Sequence, residues 1–334
     1  MLHYRTEGYN GYAVKYSPFY DSRIACVASA NFGLVGNGRL YILSLTAAGI
    51  VAEKWFDTQD SLYDVAFSEL HENQLAVASG DGSIKLFDTT LTELPVASWQ
   101  EHTREVFSVN WNLVDKSTFC SASWDGSVKI WSPQSQRSLQ TLPTTSCTYS
   151  ALFSPHTPHL LSAVSSDSTL RLFDLRAPPP QPATLVPISP TAPAEVLTHD
   201  WNKYRPDVLA TAGVDKVIRT WDLRNPARPV LELVGHEYAV RRLAWSPHWG
   251  DVLASASYDM TVRVWSDGTG SSLAAPGVGA AAVGNGRMLG VMDRHTEFCA
   301  GVDWCLFGGE GWAASTGWDE SVWVWDVGGI MGSR

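Results

Sequence analysis

The sequence predicts an all-β fold built from copies of one repeat, and three observations lead to this prediction. The phrase at Ser121–Trp131 returns at Ser255–Trp265 and at Ser315–Trp325, each time with an Asp six residues before the final Trp. Within the first copy, Val128–Trp131 alternates apolar and polar residues, which is the period of a half-buried strand. No long stretch keeps the period of roughly 3.6 residues that a helix requires. A repeat of this kind cannot bury its apolar face alone, so its copies must pack against one another.

The spacing of the repeat predicts how many copies there are. Six copies are marked by an Asp, and by subtraction successive marks lie 44, 42, 48, 44 and 60 residues apart, at Asp81, Asp125, Asp167, Asp215, Asp259 and Asp319. Asn37 lies 44 residues before the first mark and begins a degenerate seventh copy. A period of about 40–45 residues with four short strands and a Trp-Asp signature is typical of WD40 repeats. The sequence therefore predicts a seven-bladed WD40 β-propeller, a single domain over 1–334 with long loops at about 177–194 and 266–290.

The two ends of the chain are expected to close the ring. The last copy contains only three strands, around Ala300–Trp304, Trp312–Ser315 and Val322–Trp325. The N-terminal residues Leu2–Thr6 alternate like a strand. We expect this N-terminal strand to complete the last blade, because a closed ring leaves no long edge unprotected.

The repeated Asp suggests a catalytic group, but a structural role fits better. In WD repeats an Asp, a preceding His, a Ser and the Trp form a hydrogen-bonded network, and a buried carboxylate needs such partners. Three copies carry the full set, which is His102, Ser121, Asp125 and Trp131, then His236, Ser255, Asp259 and Trp265, and finally His295, Ser315, Asp319 and Trp325. The copies that end at Phe87 and Phe173 lack it, and we expect packing alone to hold those blades.

Composition limits the partners and the compartment. The formal charge of −10 disfavours nucleic acid and anionic membrane as main partners and favours a basic ligand. The five cysteines are odd in number and form no Cys-x-x-Cys pair, which indicates reduced thiols in a cytoplasmic protein. No run of about 18 apolar residues occurs, so we expect no membrane span.

Catalytic and metal-binding patterns are absent from the sequence. The nine histidines include no His-x-x-x-His pair with a nearby Glu. The segment Gly33–Gly38 superficially resembles a dinucleotide loop, but no helix follows it. We therefore expect no catalytic residues, no metal, no cofactor and no enzymatic activity.

One rim of the predicted ring carries an unusual set of side chains. Aligning the copies places large apolar residues near the start of five successive inner strands, with one more before an Asp mark and two carboxylates among them. The set is Tyr12, Tyr63, Phe107, Tyr149 and Leu197, with Trp124, Glu105 and Glu195. An exposed apolar patch with carboxylates suits an amphipathic, cationic helix. The alternative is that some of these aromatic rings merely fill the central channel.

Several stretches go beyond the general repeat. Residues 1–19, 30–40, 63–69 and 79–88 closely resemble the peroxin-7 family, and the similarity continues through all seven copies. This resemblance implies a cytosolic receptor for the type 2 peroxisomal targeting signal, which reads Arg or Lys, an aliphatic residue, five variable residues, His or Gln, and Leu or Ala. It also implies a peroxin coreceptor, a peroxisomal docking complex, and cycling between the cytoplasm and the peroxisome.

The resemblance gives the rim residues a specific role. Positions 1, 2, 8 and 9 of the signal fall on one helical face, because seven residues make about two turns. The basic first residue is expected to pair with Glu105 or Glu195, while the aliphatic residues pack on the aromatic side chains. The likeness is weakest in the Pro-rich and Gly/Ala-rich loops.

A second function remains open at this point. Trp221–Arg224 and Phe173–Arg176 resemble the Trp-Asp-x-Arg box of WD40 substrate adaptors of cullin-type ubiquitin ligases. The simpler interpretation is that each Arg pairs with a nearby carboxylate, as is common after the third strand of a blade.

Overall fold

The seven-bladed propeller predicted from the repeats is confirmed. The structure, a computed structural model, describes residues 1–31, 37–92, 94–177, 183–189, 192–269 and 286–331. Its strands form seven antiparallel sheets of four strands each within these ranges. The described helical element is a short 3₁₀ turn at Val327–Gly329. An all-β chain with alternating burial along its strands accounts for this architecture.

The strands β1 to β28 are numbered in chain order and grouped by blade. Blade 1 contains Asn10–Tyr16, Arg23–Ser29, Gly38–Thr46 and Gly49–Thr58 (β2–β5), and blade 2 contains Leu62–Phe67, Gln74–Ser79, Ser83–Asp88 and Ala97–Gln100 (β6–β9). Blade 3 contains Val106–Trp111, Phe119–Ser123, Ser127–Trp131 and Gln140–Pro143 (β10–β13), and blade 4 contains Thr148–Phe153, Leu160–Ser165, Thr169–Asp174 and Thr184–Pro187 (β14–β17). Blade 5 contains Val196–Trp201, Val208–Gly213, Ile218–Asp222 and Leu231–Leu233 (β18–β21), and blade 6 contains Val240–Trp245, Val252–Ser257, Val262–Ser266 and Arg287–Met292 (β22–β25). Blade 7 contains Cys299–Trp304, Trp312–Gly317 and Ser321–Asp326 (β26–β28), together with Leu2–Arg5 (β1).

The N-terminal strand closes the ring, as predicted. Strand β1 pairs antiparallel with β28, and Leu2 lies opposite Val324 while Tyr4 lies opposite Val322. The side chains of Leu2 and Tyr4 pack on the apolar cluster between blades 7 and 1. The first and last blades are therefore joined by both backbone hydrogen bonds and side-chain burial.

The hydrophobic core is divided among the interfaces between blades. The described residues form seven buried clusters, and each joins one pair of adjacent blades. Between blades 1 and 2, for example, the ring of Phe56 lies 4.9 Å from that of Phe87. Because every blade shares its core with both neighbours, opening one interface exposes apolar surface on two blades.

Hydrogen-bonded networks fix the strand ends in blades 3, 6 and 7. In blade 3 the Asp125 carboxylate accepts from His102 Nδ1 at 2.7 Å, and the Trp131 indole donates to Ser121 Oγ at 2.8 Å. The other nitrogen of His102 lies 2.7 Å from the same serine oxygen. The same groups meet in blade 6 (His236, Ser255, Asp259, Trp265) and in blade 7 (His295, Ser315, Asp319, Trp325).

The expectation that packing alone holds the blades of Phe87 and Phe173 is wrong. Lys85 Nζ donates to the Asp81 carboxylate at 3.0 Å, and Arg171 pairs with Asp167. In each case a cation four residues after the Asp supplies the partner that His supplies elsewhere. Sequence reasoning missed this because a Lys or Arg at a half-buried strand position is ordinarily interpreted as exposed.

The prediction of a loop at 177–194 is also wrong in part. Thr184–Pro187 forms β17, the outer strand of blade 4, and Val186 is buried there against Leu170. This strand pairs with β16 and so covers the outer edge of blade 4, although the segment around it is rich in proline. The prediction of a loop at 266–290 is wrong at its end, because residues 287–290 belong to β25, the outer strand of blade 6. Residues 178–182, 190–191 and 270–285 lie outside the described residues.

Ring closure by β1 generates a stability prediction. Removing residues 1–6, or replacing Leu2 and Tyr4 with Ser, should lower the free energy of unfolding by roughly 2–4 kcal/mol, because partly buried apolar side chains are lost from the closing cluster. Urea denaturation measures this change. Arg5→Ser is the matched control, since Arg5 is exposed on the same strand. Equal stability of the truncated and full-length chains would contradict the closure argument.

A histidine between blades 4 and 5 generates a pH prediction. The fully buried ring of His199 is hydrogen-bonded at 2.7 Å to Ser162, and burial lowers the pKa of His199 to about 4. An unfolded His binds a proton near pH 6.5, so stability is full above that pH and is lost as the pH falls toward 4. The loss should reach roughly 3 kcal/mol.

Urea unfolding between pH 7 and pH 4 tests this dependence. His199→Gln should flatten the pH dependence, whereas His71→Gln, at an exposed position, should leave it unchanged. Parallel curves for the wild type and His199→Gln would contradict the assignment.

Candidate functional site

A β-bulge near the start of each inner strand builds the candidate site. In all seven blades the pairing of the first two strands skips one residue. The skipped residues are Tyr12, Tyr63, Phe107, Tyr149, Leu197, Arg241 and Ala300. A bulge leaves its extra residue unpaired and redirects its side chain. Five of the predicted site residues therefore occupy the same special backbone position in successive blades.

The aromatic residues at these bulges contact one another around the channel mouth. The ring of Phe107 stacks on Tyr63 at 4.5 Å and on Trp124 at 4.4 Å. Tyr149 meets Trp124 edge-on at 5.8 Å, and Tyr12 meets Tyr63 edge-on at 5.2 Å. Burial raises the pKa of Tyr12 and of Tyr63, so these hydroxyls stay neutral. The result is a continuous aromatic surface.

This surface forms a depression of about 340 Å³. Seven of the eight predicted residues line it, namely Tyr12, Tyr63, Phe107, Trp124, Tyr149, Glu195 and Leu197. The alternative that the rings only fill the channel is partly right, because Tyr12 and Tyr63 are less than 10% exposed. Phe107, Trp124 and Tyr149 are half-buried and remain accessible from above.

The two carboxylates occupy equivalent positions in blades 3 and 5. The backbone carbonyl of Glu105 accepts from the Trp124 N–H at 3.1 Å, and that of Glu195 accepts from the Val214 N–H at 3.0 Å. The Glu195 carboxylate also accepts from the Tyr149 hydroxyl at 2.9 Å. Glu105 lies beside the depression rather than in its lining, and its carboxylate is 3.5 Å from Arg104. Both acids are thus placed at the rim of the aromatic surface.

A second cavity lies at the opposite ends of the inner strands and has a different character. It is lined by strand-end residues such as Tyr16 and Trp111. Two pairs of its charged groups contact each other, with Lys15 Nζ 3.1 Å from Asp303 and Lys203 Nζ 2.9 Å from Asp200. The bulge face differs in combining a continuous aromatic surface with accessible acids beside it.

Comparison with known proteins identifies the family. The family model described as "WD domain, G-beta repeat" matches residues 93–132, 136–174 and 227–266. A peroxisomal targeting signal 2 receptor of Saccharomyces cerevisiae is 41% identical, and the alignment covers 98% of this chain and 99% of the relative. The receptor of the same name from Komagataella phaffii is 44% identical with the same coverage. That of Mus musculus is 37% identical, covering 96% of this chain and 95% of the relative.

This chain belongs to the family of peroxisomal targeting signal 2 receptors. The resemblance suspected from residues 1–19 and the other stretches is therefore confirmed. The alignments with these relatives extend over nearly the whole propeller, so they include every blade that contributes to the bulge face.

Five further residues of the depression were not selected by the sequence prediction, namely Val214, Ala239, Arg241, Tyr258 and Trp318. Trp318 lies 5.6 Å from Tyr12, Tyr258 lies 6.5 Å from Trp318, and Arg241 lines the same depression. Trp318 and Tyr258 each directly precede an Asp of the repeat, as Trp124 does, so the same alignment that selected Trp124 would have found them. Ring closure is what brings them next to Tyr12.

The two Trp/Phe-Asp-x-Arg segments make local contacts. Arg224 donates to Asp222 at 2.6 Å, and Arg176 donates to Asp174 at 2.6 Å. Each arginine is therefore paired with the carboxylate two residues before it, although both side chains remain about 70% exposed.

The described residues contain neither a metal-binding cluster nor a membrane-spanning helix. No three His, Cys, Asp or Glu side chains gather there in a way that could hold a metal ion. In the same part of the chain, no helix has the length and apolar character needed to cross a bilayer.

The stacking of Phe107 generates a testable prediction. Phe107→Leu should lower the free energy of unfolding by about 1–3 kcal/mol, because its aromatic pairs each contribute about 0.5–1.5 kcal/mol. Urea denaturation gives the value. Phe307→Leu is the matched control, since Phe307 is exposed in a loop at the other face and should change stability by less than about 0.5 kcal/mol. Equal effects of the two substitutions would argue against a stacked aromatic unit.

Proposed function

We propose that the depression on the bulge face binds the N-terminal type 2 targeting signal of cargo proteins, and that the chain delivers this cargo to peroxisomes with a peroxin coreceptor. The observation that carries this proposal is the combination of one continuous aromatic surface with two carboxylates at equivalent rim positions. The full-length similarity to proteins named peroxisomal targeting signal 2 receptors supports it.

The chemistry of the depression suits a short amphipathic helix with a basic residue. The apolar side chains on one face of such a helix lose water when they pack on Phe107, Trp124 and Tyr149. A basic residue at one end of that face would donate to Glu195 or Glu105. Glu195 is held by the Tyr149 hydroxyl, so one carboxylate oxygen is fixed and the other is left for the ligand. Binding therefore requires little reordering of the receptor.

A coreceptor would complete the site. The described depression is open to solvent, and five of its seven aromatic rings are partly exposed. A helix lying on it would keep its outer face in water, and a partner that covers this face would strengthen the charge pairs by removing solvent. The proposal includes a peroxisomal docking complex and cycling between the cytoplasm and the peroxisome. It includes no catalytic step, no cofactor and no nucleic acid.

Fluorescence anisotropy with a labelled signal helix tests the proposal. The wild type should bind this peptide, more tightly with the coreceptor, and should reject a peptide in which the first Arg is Glu. Glu195→Gln or Glu105→Gln should weaken binding roughly ten-fold, because a charge-assisted hydrogen bond becomes a neutral one. Glu195→Lys should weaken it further.

A matched carboxylate provides the control. Glu310 is exposed in the loop between β26 and β27, on the opposite face, so Glu310→Gln should bind as the wild type does. Wild-type affinity in both Glu105→Gln and Glu195→Gln, and in the double variant, would refute the role of the carboxylates. No binding of the signal helix with or without coreceptor would refute the receptor proposal itself.

A further inference from the structure

Arg241 differs from every other residue at the seven bulges. It occupies in blade 6 the position that Tyr12, Tyr63, Phe107 and Tyr149 occupy in their blades. The other two bulged residues are Leu197 and Ala300, so Arg241 is the one cation among the seven. Its side chain lines the aromatic depression, and its guanidinium carbon lies 5.7 Å from the centre of the Phe107 ring.

The guanidinium of Arg241 is buried without full pairing. The residue is 5% exposed, and Nη2 has no hydrogen-bond acceptor within reach among the described residues. The neighbouring Arg242 is a direct contrast, because it donates to Asp64 at 2.7 Å inside the channel. Burial lowers the pKa of Arg241 from its usual value, although the guanidinium stays charged.

An unpaired, buried donor on a cation is unfavourable unless something satisfies it. Leaving such a group without an acceptor costs more than the net gain of an ordinary hydrogen bond. The cation–π contact with Phe107 offsets part of this cost but supplies no acceptor for Nη2. Nη2 itself has almost no exposed area, but the Arg241 side chain lines the depression, so the missing partner can arrive with a ligand whose side chain inserts there.

We propose that Arg241 is a specificity residue that donates from Nη2 to a hydrogen-bond acceptor on a side chain of the bound helix. This inference rests on the proposed function, since it assumes that a helix occupies the depression. The acceptor is an amide oxygen, a carboxylate or an unprotonated imidazole that points down toward the channel. Arg241 also repels a cation at that depth, so the basic end of the helix is directed outward to Glu105 and Glu195.

Anisotropy with a set of variant peptides tests this assignment. Each polar, uncharged or acidic position of the signal helix is replaced in turn by Leu and by Lys. The wild type, Arg241→Met and Arg241→Lys are then compared. Met keeps a long side chain that packs on Phe107 but has no donor, while Lys keeps the charge without the planar fork. Arg224→Met is the control, because Arg224 is an exposed arginine that follows the end of β20.

One peptide position should respond to Arg241. Replacing its acceptor by Leu should weaken binding to the wild type roughly ten-fold and binding to Arg241→Met less than two-fold. Lys at the same position should weaken binding to the wild type most, and Arg241→Met should recover part of that loss. The Arg224→Met control should reproduce the wild-type pattern.

Two results would overturn the inference while leaving the receptor proposal intact. One is a signal helix that binds Arg241→Met as tightly as the wild type. The other is an Arg241→Met variant that loses the same factor with every peptide, which would indicate a packing role. Failure of the wild type to bind any signal peptide would instead refute the proposed function. Thermal melts of each variant separate loss of folding from loss of recognition.

Discussion

The β-bulge near the start of every inner strand is the constraint on which the candidate site depends. In a regular strand the residue at this position would alternate into a blade interface, where it would be hidden between sheets. The extra residue instead leaves the ladder and turns its side chain toward the channel mouth. Five of the seven bulges gather Tyr12, Tyr63, Phe107, Tyr149 and Leu197 on one face, although these residues lie far apart in the sequence.

The blades that carry the bulges are held by polar networks at their rims. Each Asp of the repeat follows a residue whose backbone N–H is bonded to the carbonyl two residues before the bulge, as Trp124 is to Glu105. Anchoring Asp125 through His102, or Asp81 through Lys85, therefore also fixes the strand entrance that presents the site. The contacts that stabilise the fold and those that shape the depression share the same turns, which makes the surface rigid before a ligand arrives.

The sequence predicted more of the fold than of the site, for physical reasons. The regular spacing of the Asp residues predicted the number of blades. The missing fourth strand after Trp325 and the alternation in Leu2–Thr6 predicted ring closure. Both predictions succeeded because they rest on periodic patterns in the sequence itself. The aromatic set was found where one alignment position repeated along the chain. The contact between Trp318 and Tyr12 and the unpaired Nη2 of Arg241 required three-dimensional information: the contact forms only when the ring closes, and Nη2 is unusual only because it is buried. The role of Lys85 was likewise hidden, since a lysine on a strand carries no sequence mark of its partner.

Photo-crosslinking from the bulge face tests the central claim most directly. A benzophenone amino acid replaces Leu197, at the bulge of blade 5, in one preparation, and Leu306, exposed beside the cavity on the opposite face, in another. Each is irradiated with a labelled type 2 signal helix and the coreceptor. The account predicts a peptide adduct from position 197 and none from position 306. An adduct from position 306 alone would contradict the placement of the signal on the bulge face.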